Sequence, residues 1–277
     1  MRISFTTLGC PDWDLRTICE QGRRFGFDGV DFRGIKADLD VTLLPAFTTS
    51  VADTRKALAD AGLAVSGFSS SINICDPEKR QANLDEAKRT IGVALALDCP
   101  NIRVFGGGPV KTIGHEQAAD IGRECMEAIL ALDGARGLHW LFETHDRWIR
   151  SRDCRLLLDR IPDPAFGMLW DMGHTPRVAG EAPEETYSLL GPRIGYVHLK
   201  DAALDPKHPH AMGDGWRYVP PGTGQLPLAK GIALLRAGGY DGWLLFEHEK
   251  RWHPDLPAPE EAFPQFVRWI RPLIASS

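Results

Sequence analysis

The sequence predicts an α/β protein built as a single (β/α)8 TIM barrel. Eight short apolar segments alternate with stretches of helical periodicity. Buried parallel strands read as near-continuous apolar runs, which these segments are. The chain length of 277 residues is close to the ~250 residues typical of this barrel. The predicted strands cover residues 3–8, 29–32, 63–68, 102–105, 139–142, 166–170, 194–197 and 243–246.

Helix signals lie between these segments. Leu84, Ala87 and Ile91 recur at helical spacing, Gly62 suits the end of a helix, and a last helix is predicted over 259–274. A doubly wound open sheet would be favoured by a glycine-rich phosphate turn after the first strand, but the chain reads TLGCPD there. No composition break marks a domain boundary, so residues 1–277 are predicted to form one domain.

One stretch stands apart from the strand–helix alternation. Residues 202–227 are rich in Pro, Gly and His and show no periodicity. An irregular segment of this length inside a compact domain is usually functional or disordered. We therefore expect a long loop there, and we expect it to contribute to substrate specificity.

Charge and cysteine usage exclude several classes of protein. The net charge is −5, which argues against a general nucleic-acid binder. No apolar run approaches the roughly 18 residues of a membrane span, and no signal-peptide pattern opens the chain. Six cysteines are scattered without a CxxC motif, as in reduced cytoplasmic proteins.

Four successive predicted strands end in a residue that can bind a metal ion. The apolar runs lead into Glu143, Asp171, His198 and Glu247. The carboxyl ends of barrel strands converge on one mouth, where active sites form. A lone carboxylate after a strand is more often a helix cap or a turn residue. Four such endings on consecutive strands instead predict a shared metal site.

The residue types in this set indicate which ion and which chemistry to expect. Three carboxylates and one imidazole favour Mn²⁺ or Mg²⁺, with Co²⁺ or Zn²⁺ as alternatives. Glu143 and Glu247 lie on different strands, so they could flank a substrate chelated to the metal. This arrangement suits proton abstraction next to a carbonyl, with one glutamate taking the proton and the other returning it.

Further candidates for substrate binding follow from their positions near strand ends. Lys200 could bind a substrate oxygen or carboxylate, or be a solvated loop lysine. His145 could face the substrate or make a structural hydrogen bond. Asp31 and Arg33 close the second strand and could reach the mouth or pair at the surface. Trp13 could cap a sugar ring or form a hydrophobic lid over the barrel edge.

A rival metal ligand lies two residues beyond the last strand end. Side chains alternate along a strand, so Glu249 and Glu247 could both face inward. Glu247 ends the apolar run directly. We therefore prefer Glu247 as the ligand.

Five short motifs after residue 138 carry a resemblance to a known family. They are Phe-Glu143-Thr-His145, Trp-Asp171-Met-Gly-His174, Val-His198-Leu-Lys200-Asp201, Pro-Gly222-Thr-Gly224 and Phe-Glu247-His-Glu249. The chain resembles the sugar phosphate isomerase/epimerase family with the xylose isomerase-like TIM barrel, over its whole length. That family includes ketose 3-epimerases, hydroxypyruvate isomerases, inosose dehydratases and 3-dehydroshikimate dehydratases.

The resemblance implies roles for individual residues. Glu143, Asp171, His198 and Glu247 correspond to the family's metal ligands, and in the epimerase members the two glutamates also form the acid/base pair. His174 corresponds to a ligand of a substrate oxygen in those epimerases.

The expected function is therefore a metal-dependent isomerase or epimerase of carbohydrate metabolism. Its substrate would be a small sugar, keto-sugar or related polyhydroxy carbonyl compound, and its reaction would pass through a metal-stabilised enediolate. One alternative is a dehydratase of the inosose or 3-dehydroshikimate type, which shares the proton abstraction. Another is a non-catalytic sugar-binding barrel. We expect a small-molecule partner, no nucleic acid and no membrane, and leave open the substrate's identity, its phosphorylation and a homo-oligomeric state.

Overall fold

Eight parallel strands close into a barrel in the computed structural model of the chain, which describes residues 1–275. The last barrel strand pairs with the first and with the seventh, which completes the ring. Two further strands form a separate antiparallel pair. In chain order the strands are β1 (Arg2–Thr6), β2 (Gly29–Phe32), β3 (Ala64–Asn73), β4 (Asn101–Phe105), β5 (His139–Glu143), β6 (Phe166–Asp171), β7 (Ile194–Leu199), β8 (Asp201–Leu204), β9 (Trp216–Val219) and β10 (Trp243–Phe246).

Helices follow the barrel strands, as the sequence predicts for a (β/α)8 barrel. Helix α2 ends at Gly62, which takes a left-handed conformation, and α4 is kinked at Gly114. No helix within residues 1–275 is both long and apolar enough to span a bilayer. The helices are α1 (Leu15–Phe25), α2 (Val51–Ala61), α3 (Arg80–Ala96), α4 (Val110–Leu130), α5 (Ser151–Arg160), α6 (Pro183–Leu190), α7 (Leu228–Ala237) and α8 (Pro259–Ile274).

Two apolar cores follow from the alternation of side chains along each strand. Outward-facing residues join the helices in the large core, which also takes up the six cysteines as buried thiols. Inward-facing residues form a smaller cluster inside the barrel. This inner cluster contains Leu141, Leu169, Tyr196, Trp243 and Leu245. It fills the barrel below its mouth, so the next inward-facing residues along these strands lie at the mouth itself.

The long segment after β7 is not wholly irregular, in contrast to the expectation for residues 202–227. Strands β8 and β9 pair as an antiparallel hairpin. The sequence conceals it because the β9 residues are all half-buried, without an alternating apolar pattern. The pairing is also non-local, since Asp201 faces Val219 across a connection that the chain must first close.

Asp201 holds the base of this hairpin through its carboxylate. Oδ2 accepts hydrogen bonds from the backbone amides of Gly222 and Gly224, both at 2.9 Å. Oδ1 accepts from the amides of Ala202 at 2.8 Å and Leu226 at 3.3 Å. A Cβ at Gly224 would lie 2.2 Å from Asp201 Oδ1. The Pro-Gly-Thr-Gly motif therefore lets the backbone wrap closely around one buried carboxylate.

We expect Asp201→Ala to destabilise the protein by about 2–3 kcal/mol, because it removes the charge-assisted hydrogen bonds that a buried carboxylate accepts from several backbone amides. Urea denaturation measures this loss, and limited proteolysis should show faster cleavage in residues 202–227. Asp205→Ala, at a side chain 44% exposed in the same hairpin, is the matched control and should change little. Equal stability of the two variants would contradict this role of Asp201.

Candidate metal centre

The four strand-end residues predicted as metal ligands come together at the mouth of the barrel. Glu143, Asp171, His198 and Glu247 each offer one ligand atom, and these atoms all lie within 4.8 Å of one another. Each residue is two positions after a member of the inner apolar cluster, so strand alternation directs it to the interior. Glu143 and Asp171 are fully buried, and the other two are almost so. This group of four, hereafter the ligand group, could hold a metal ion.

Unsatisfied polar atoms in the ligand group fit this interpretation. Glu143 Oε1, Asp171 Oδ2 and both ring nitrogens of His198 are buried without a hydrogen bond of good geometry in the described chain, although charged neighbours such as Lys200, 2.8 Å from Asp171 Oδ2, lie close to them. Buried polar atoms are rarely left in this state, and a bound cation is one way to satisfy them. Oxygen and nitrogen donors of this kind suit a divalent ion. The donor set therefore fits the group that the sequence predicts.

Arg103 compensates the charge of Glu143 from the neighbouring strand β4. Its Nη1 donates to Glu143 Oε2 at 2.9 Å, and its Nη2 donates to the carbonyl of Ser70 at 3.0 Å. The guanidinium carbon lies 3.9 Å from the ring centroid of Phe105. Both ends of the ion pair are buried. These contacts fix the Glu143 carboxylate in one orientation and leave Oε1 facing the ligand group.

Lys200 compensates the remaining carboxylates. Its Nζ lies 2.8 Å from Asp171 Oδ2, 2.6 Å from Glu247 Oε2 and 2.8 Å from Glu249 Oε1. A Cβ at Gly173 would lie 2.5 Å from Lys200 Cγ, so this glycine provides room for the lysine side chain. Lys200 is therefore a buried counter-ion rather than a solvated loop lysine. Glu249 contacts Lys200 but lies outside the ligand group, in agreement with the preference for Glu247.

The pKa values of the ligand group follow from burial and these charges. Burial lowers the pKa of His198, but the carboxylates of Glu247 and Glu143 outweigh it and raise this pKa to about 10. Burial raises the pKa of Asp171 to about 7, against the attraction of Lys200. Burial also raises the pKa of Glu143 and of Glu247, yet nearby cations hold both below their usual range. The two glutamates are thus charged bases, whereas Asp171 is the weaker acid.

His174 and His145 line the mouth beside the ligand group. His174 Nδ1 lies 3.0 Å from the carbonyl oxygen of Thr144, which can only accept, so Nδ1 carries the hydrogen and Nε2 is free to accept one. Burial and Lys200 lower the pKa of His174 well below its usual value, which keeps the ring neutral. The two rings are 4.9 Å apart, and His145 Nδ1 lies 2.8 Å from Asp146 Oδ1.

Two residues that the sequence predicts to bind substrate, Asp31 and Trp13, make structural contacts in the described chain. Asp31 is buried inside the barrel, where its Oδ2 accepts a hydrogen bond from the Tyr196 hydroxyl at 3.2 Å. Trp13 donates from its indole nitrogen to Glu260 at 3.2 Å and packs edge-on against Phe263. Trp13 therefore covers the barrel edge, which is the second of the two roles that the sequence left open. Asp31 accepts hydrogen bonds from Ser69 and Tyr196 inside the barrel.

Sequence reasoning missed Arg103 and Thr144. The Thr144 hydroxyl accepts from the Asp171 amide at 2.9 Å, which fixes the end of β6. Arg103 had a detectable signal, because it is a charged residue within an apolar segment that was predicted to be a buried strand. A charge in such a position needs a buried partner. Thr144 gave no comparable signal, because threonine is common in strands.

Comparison with known proteins agrees with this fold. A sequence profile of the xylose isomerase-like TIM barrel family matches residues 19–273. The chain therefore belongs to the xylose isomerase-like TIM barrel family. A search of curated proteins gave no significant match.

Solved structures with the same fold include enzymes of different reaction types. The probable 3-DHS dehydratase AsbF of Bacillus anthracis is 18% identical with a TM-score of 0.76, and the alignment covers 98% of each chain. The 3-keto-D-glucoside 4-epimerase YcjR of E. coli is 16% identical with a TM-score of 0.76, covering 98% of this chain and 99% of that one. An IOLI protein with a bound zinc atom is 17% identical with a TM-score of 0.76, covering 99% and 98%. At these identities the likeness shows the fold.

We expect Lys200→Met to destabilise the metal-free protein by about 3–5 kcal/mol, because it leaves buried carboxylates without their counter-ion. A divalent cation should restore much of this loss, since it supplies positive charge to the same oxygens. Thermal unfolding with EDTA and then with excess Mn²⁺ measures both effects. Lys56→Met, at an exposed pair with Asp60, is the control. An EDTA-treated Lys200→Met protein as stable as its parent would contradict the counter-ion role.

Proposed function

We propose that the protein is a metal-dependent isomerase or epimerase acting on a small sugar, keto-sugar or related polyhydroxy carbonyl compound. The observation that carries the proposal is the pair of buried, charged glutamates within one ligand group, Glu143 on β5 and Glu247 directly after β10. Two carboxylates on separate strands can reach a bound molecule from two sides. Proton removal next to a carbonyl, followed by its return elsewhere, requires two such groups.

The ligand group would hold the metal ion through Glu143, Asp171, His198 and Glu247. Mn²⁺ or Mg²⁺ suits a set dominated by carboxylates, with Co²⁺ or Zn²⁺ as alternatives. When bound, such an ion supplies Lewis-acid stabilisation of negative charge on a carbonyl oxygen. The cavity around it is built by the protein, which fixes each carboxylate from outside, as Arg103 does for Glu143.

The chain's own residues account for the proton transfers. One glutamate accepts the proton from the carbon next to the carbonyl, and the electron pair of the broken C–H bond moves onto the carbonyl oxygen. The other glutamate, after it has taken up a proton from solvent, donates that proton to carbon, either on the opposite face or at the neighbouring position. His174 Nε2, kept as an acceptor by the Thr144 contact, would bind a substrate hydroxyl. Lys200 would hold a substrate oxygen beside Glu247.

A dehydratase is the second candidate, and the position of His145 favours it. His145, Glu143 and His174 form a second group whose ligand atoms lie within 4.8 Å of one another. Asp146 orients the His145 ring. Expulsion of a β-hydroxyl as water needs a proton donor near the base that removes the first proton, and His145 stands in that place. The structurally similar protein of B. anthracis, a probable 3-DHS dehydratase, belongs to the same class of lyases.

The proposal assigns a small polyhydroxy molecule as the partner and the cytoplasm as the location. The net charge of −5 disfavours nucleic acid as a ligand. Six buried thiols fit a reducing compartment. A homo-oligomer is compatible with these features.

Incubation of the metal-loaded protein with ketoses and keto-inositols in deuterated water tests the proposal. We expect deuterium to enter at a carbon next to the carbonyl of at least one compound, which NMR detects. Ultraviolet absorption of a conjugated enone in the same samples would identify the dehydratase. Failure to incorporate deuterium from any compound, with metal demonstrably bound, would overturn proton abstraction and favour a sugar-binding barrel.

We expect Glu247→Gln to lose about 10²-fold or more of turnover even when metal is saturating. The amide keeps an oxygen that can coordinate weakly, but it cannot act as a base near neutral pH. Metal content and turnover are measured on one sample, and Glu143→Gln should behave likewise. Glu124→Gln, at a surface glutamate, is the control. Full activity of metal-saturated Glu247→Gln would exclude the two-glutamate mechanism.

A further inference from the structure

Arg33 is a half-buried cation at the barrel mouth that the proposed reaction does not use. Asp31, two residues earlier on β2, faces the barrel interior, where Ser69 and Tyr196 donate to its carboxylate. Arg33 follows the last residue of β2 and lines a small pocket with Ser70 and Glu86. The carbonyl of Ser70 accepts a hydrogen bond from Arg103, which places the two arginines at the same side of the mouth. The Arg33 amide donates to Thr7 Oγ1 at 2.9 Å, which fixes the end of the strand.

The Arg33 guanidinium has no partner of its own within residues 1–275. No carboxylate oxygen lies within 4.0 Å of it, and it donates no side-chain hydrogen bond. The acids whose charges act on it are Glu86, Asp31 and Glu143. Glu86 accepts from the Ser71 amide at 2.6 Å, and the other two bind the groups described above. Five N–H donors of one side chain thus remain without an acceptor.

The guanidinium of Arg103 lies close enough to Arg33 for the two positive charges to repel each other. Burial and, after it, the charge of Arg103 lower the pKa of Arg33 to about 10. Arg103 itself is already bound to Glu143 and a backbone carbonyl. Two neighbouring cations in a partly buried site, one of them unpaired, carry a cost that an anion would remove.

The ligand group and Arg33 occupy different arcs of the ring of strands, and Glu86 of α3 lines the same pocket as Arg33. Glu143, Asp171, His198 and Glu247 come from β5, β6, β7 and the end of β10. Arg33 follows β2, which lies across the barrel from β6 in the strand order. A bound molecule can therefore have its reacting carbonyl beside the glutamates and a negative group toward the arginine.

We propose that Arg33, next to Arg103, forms an anion subsite that binds a carboxylate or phosphate group of the substrate. The planar fork of a guanidinium suits both groups, because each offers two oxygens in one plane. The proposal rests on the proposed function and narrows its substrates to polyhydroxy carbonyl compounds that carry an acidic group. Neutral sugars would lack the contact with Arg33.

Thermal unfolding of the metal-loaded protein in acetate, inorganic phosphate or chloride, at equal ionic strength, tests the subsite without turnover. We expect a saturable rise in melting temperature with acetate or phosphate over chloride, and an apparent affinity about tenfold weaker or more in Arg33→Met. Phosphate also stabilises proteins by exclusion from their surface. Arg16→Met, at an exposed side chain, is the control for that effect and should respond like the parent.

The two anions distinguish the kinds of substrate. A response to acetate alone supports a carboxylate, a response to phosphate alone supports a phosphate ester, and either one supports the subsite. Equal responses of Arg33→Met and the parent to both anions would overturn it. So would a large loss of stability of Arg33→Met in chloride, because an unpaired arginine should be removable without loss.

Failure of the anion subsite can be distinguished from failure of the proposed reaction in the deuterium experiment. Anion binding that depends on Arg33, without deuterium incorporation, would leave the subsite in place and remove the proposed reaction. Deuterium incorporation into neutral compounds, with KM unchanged in Arg33→Met, would support the proposed reaction and overturn the anion subsite. For an acidic substrate we expect Arg33→Met to raise KM about tenfold or more.

Discussion

Compensation of buried negative charge is the constraint on which the site depends. Glu143, Asp171 and Glu247 are brought within a few ångströms of one another in a barrel interior that excludes water. Such a group is unfavourable unless positive charge is built around it. Arg103 and Lys200 supply that charge from neighbouring strands. The contacts that reduce the repulsion also orient the carboxylates, so stability and preorganisation have the same origin.

The barrel makes this possible through a simple geometric rule. Strands β5, β6, β7 and β10 each contribute an apolar residue to the interior and then, two positions later, a polar one to the mouth, as Leu141 precedes Glu143 and Tyr196 precedes His198. The rule extends one layer further to Lys200, directly after β7, and to Glu249, beyond β10. The layer of polar residues therefore lies directly above the apolar layer of the barrel interior. Side chains from distant parts of the chain meet there without any long-range sequence motif.

Most of the barrel and the four members of the ligand group could be predicted from the sequence, for a physical reason. Buried parallel strands must be apolar, so all eight barrel strands and the residues that end them could be located, including Asp171 and Glu247. The rest depends on pairing across the barrel, which local pattern does not encode. The β8–β9 hairpin, the contact of Arg103 with Glu143 and the position of Trp13 under α8 arise in this way. Local sequence pattern does not specify which residues pair across the barrel, so these contacts could not be predicted.

The hydrogen bonds of the Asp201 carboxylate act as a clamp between the hairpin tip and the ligand group. The Asp201 carboxylate accepts hydrogen bonds from the Ala202 amide, where the hairpin leaves the barrel, and from the amides of Gly222 and Gly224, where it returns. The hairpin tip between these anchor points can change in length and composition while the anchors stay fixed. Lys200, immediately before the clamp, and Glu247 are shielded from such changes. A change in the length or composition of the hairpin tip is therefore compatible with an unaltered arrangement of the ligand group beneath it.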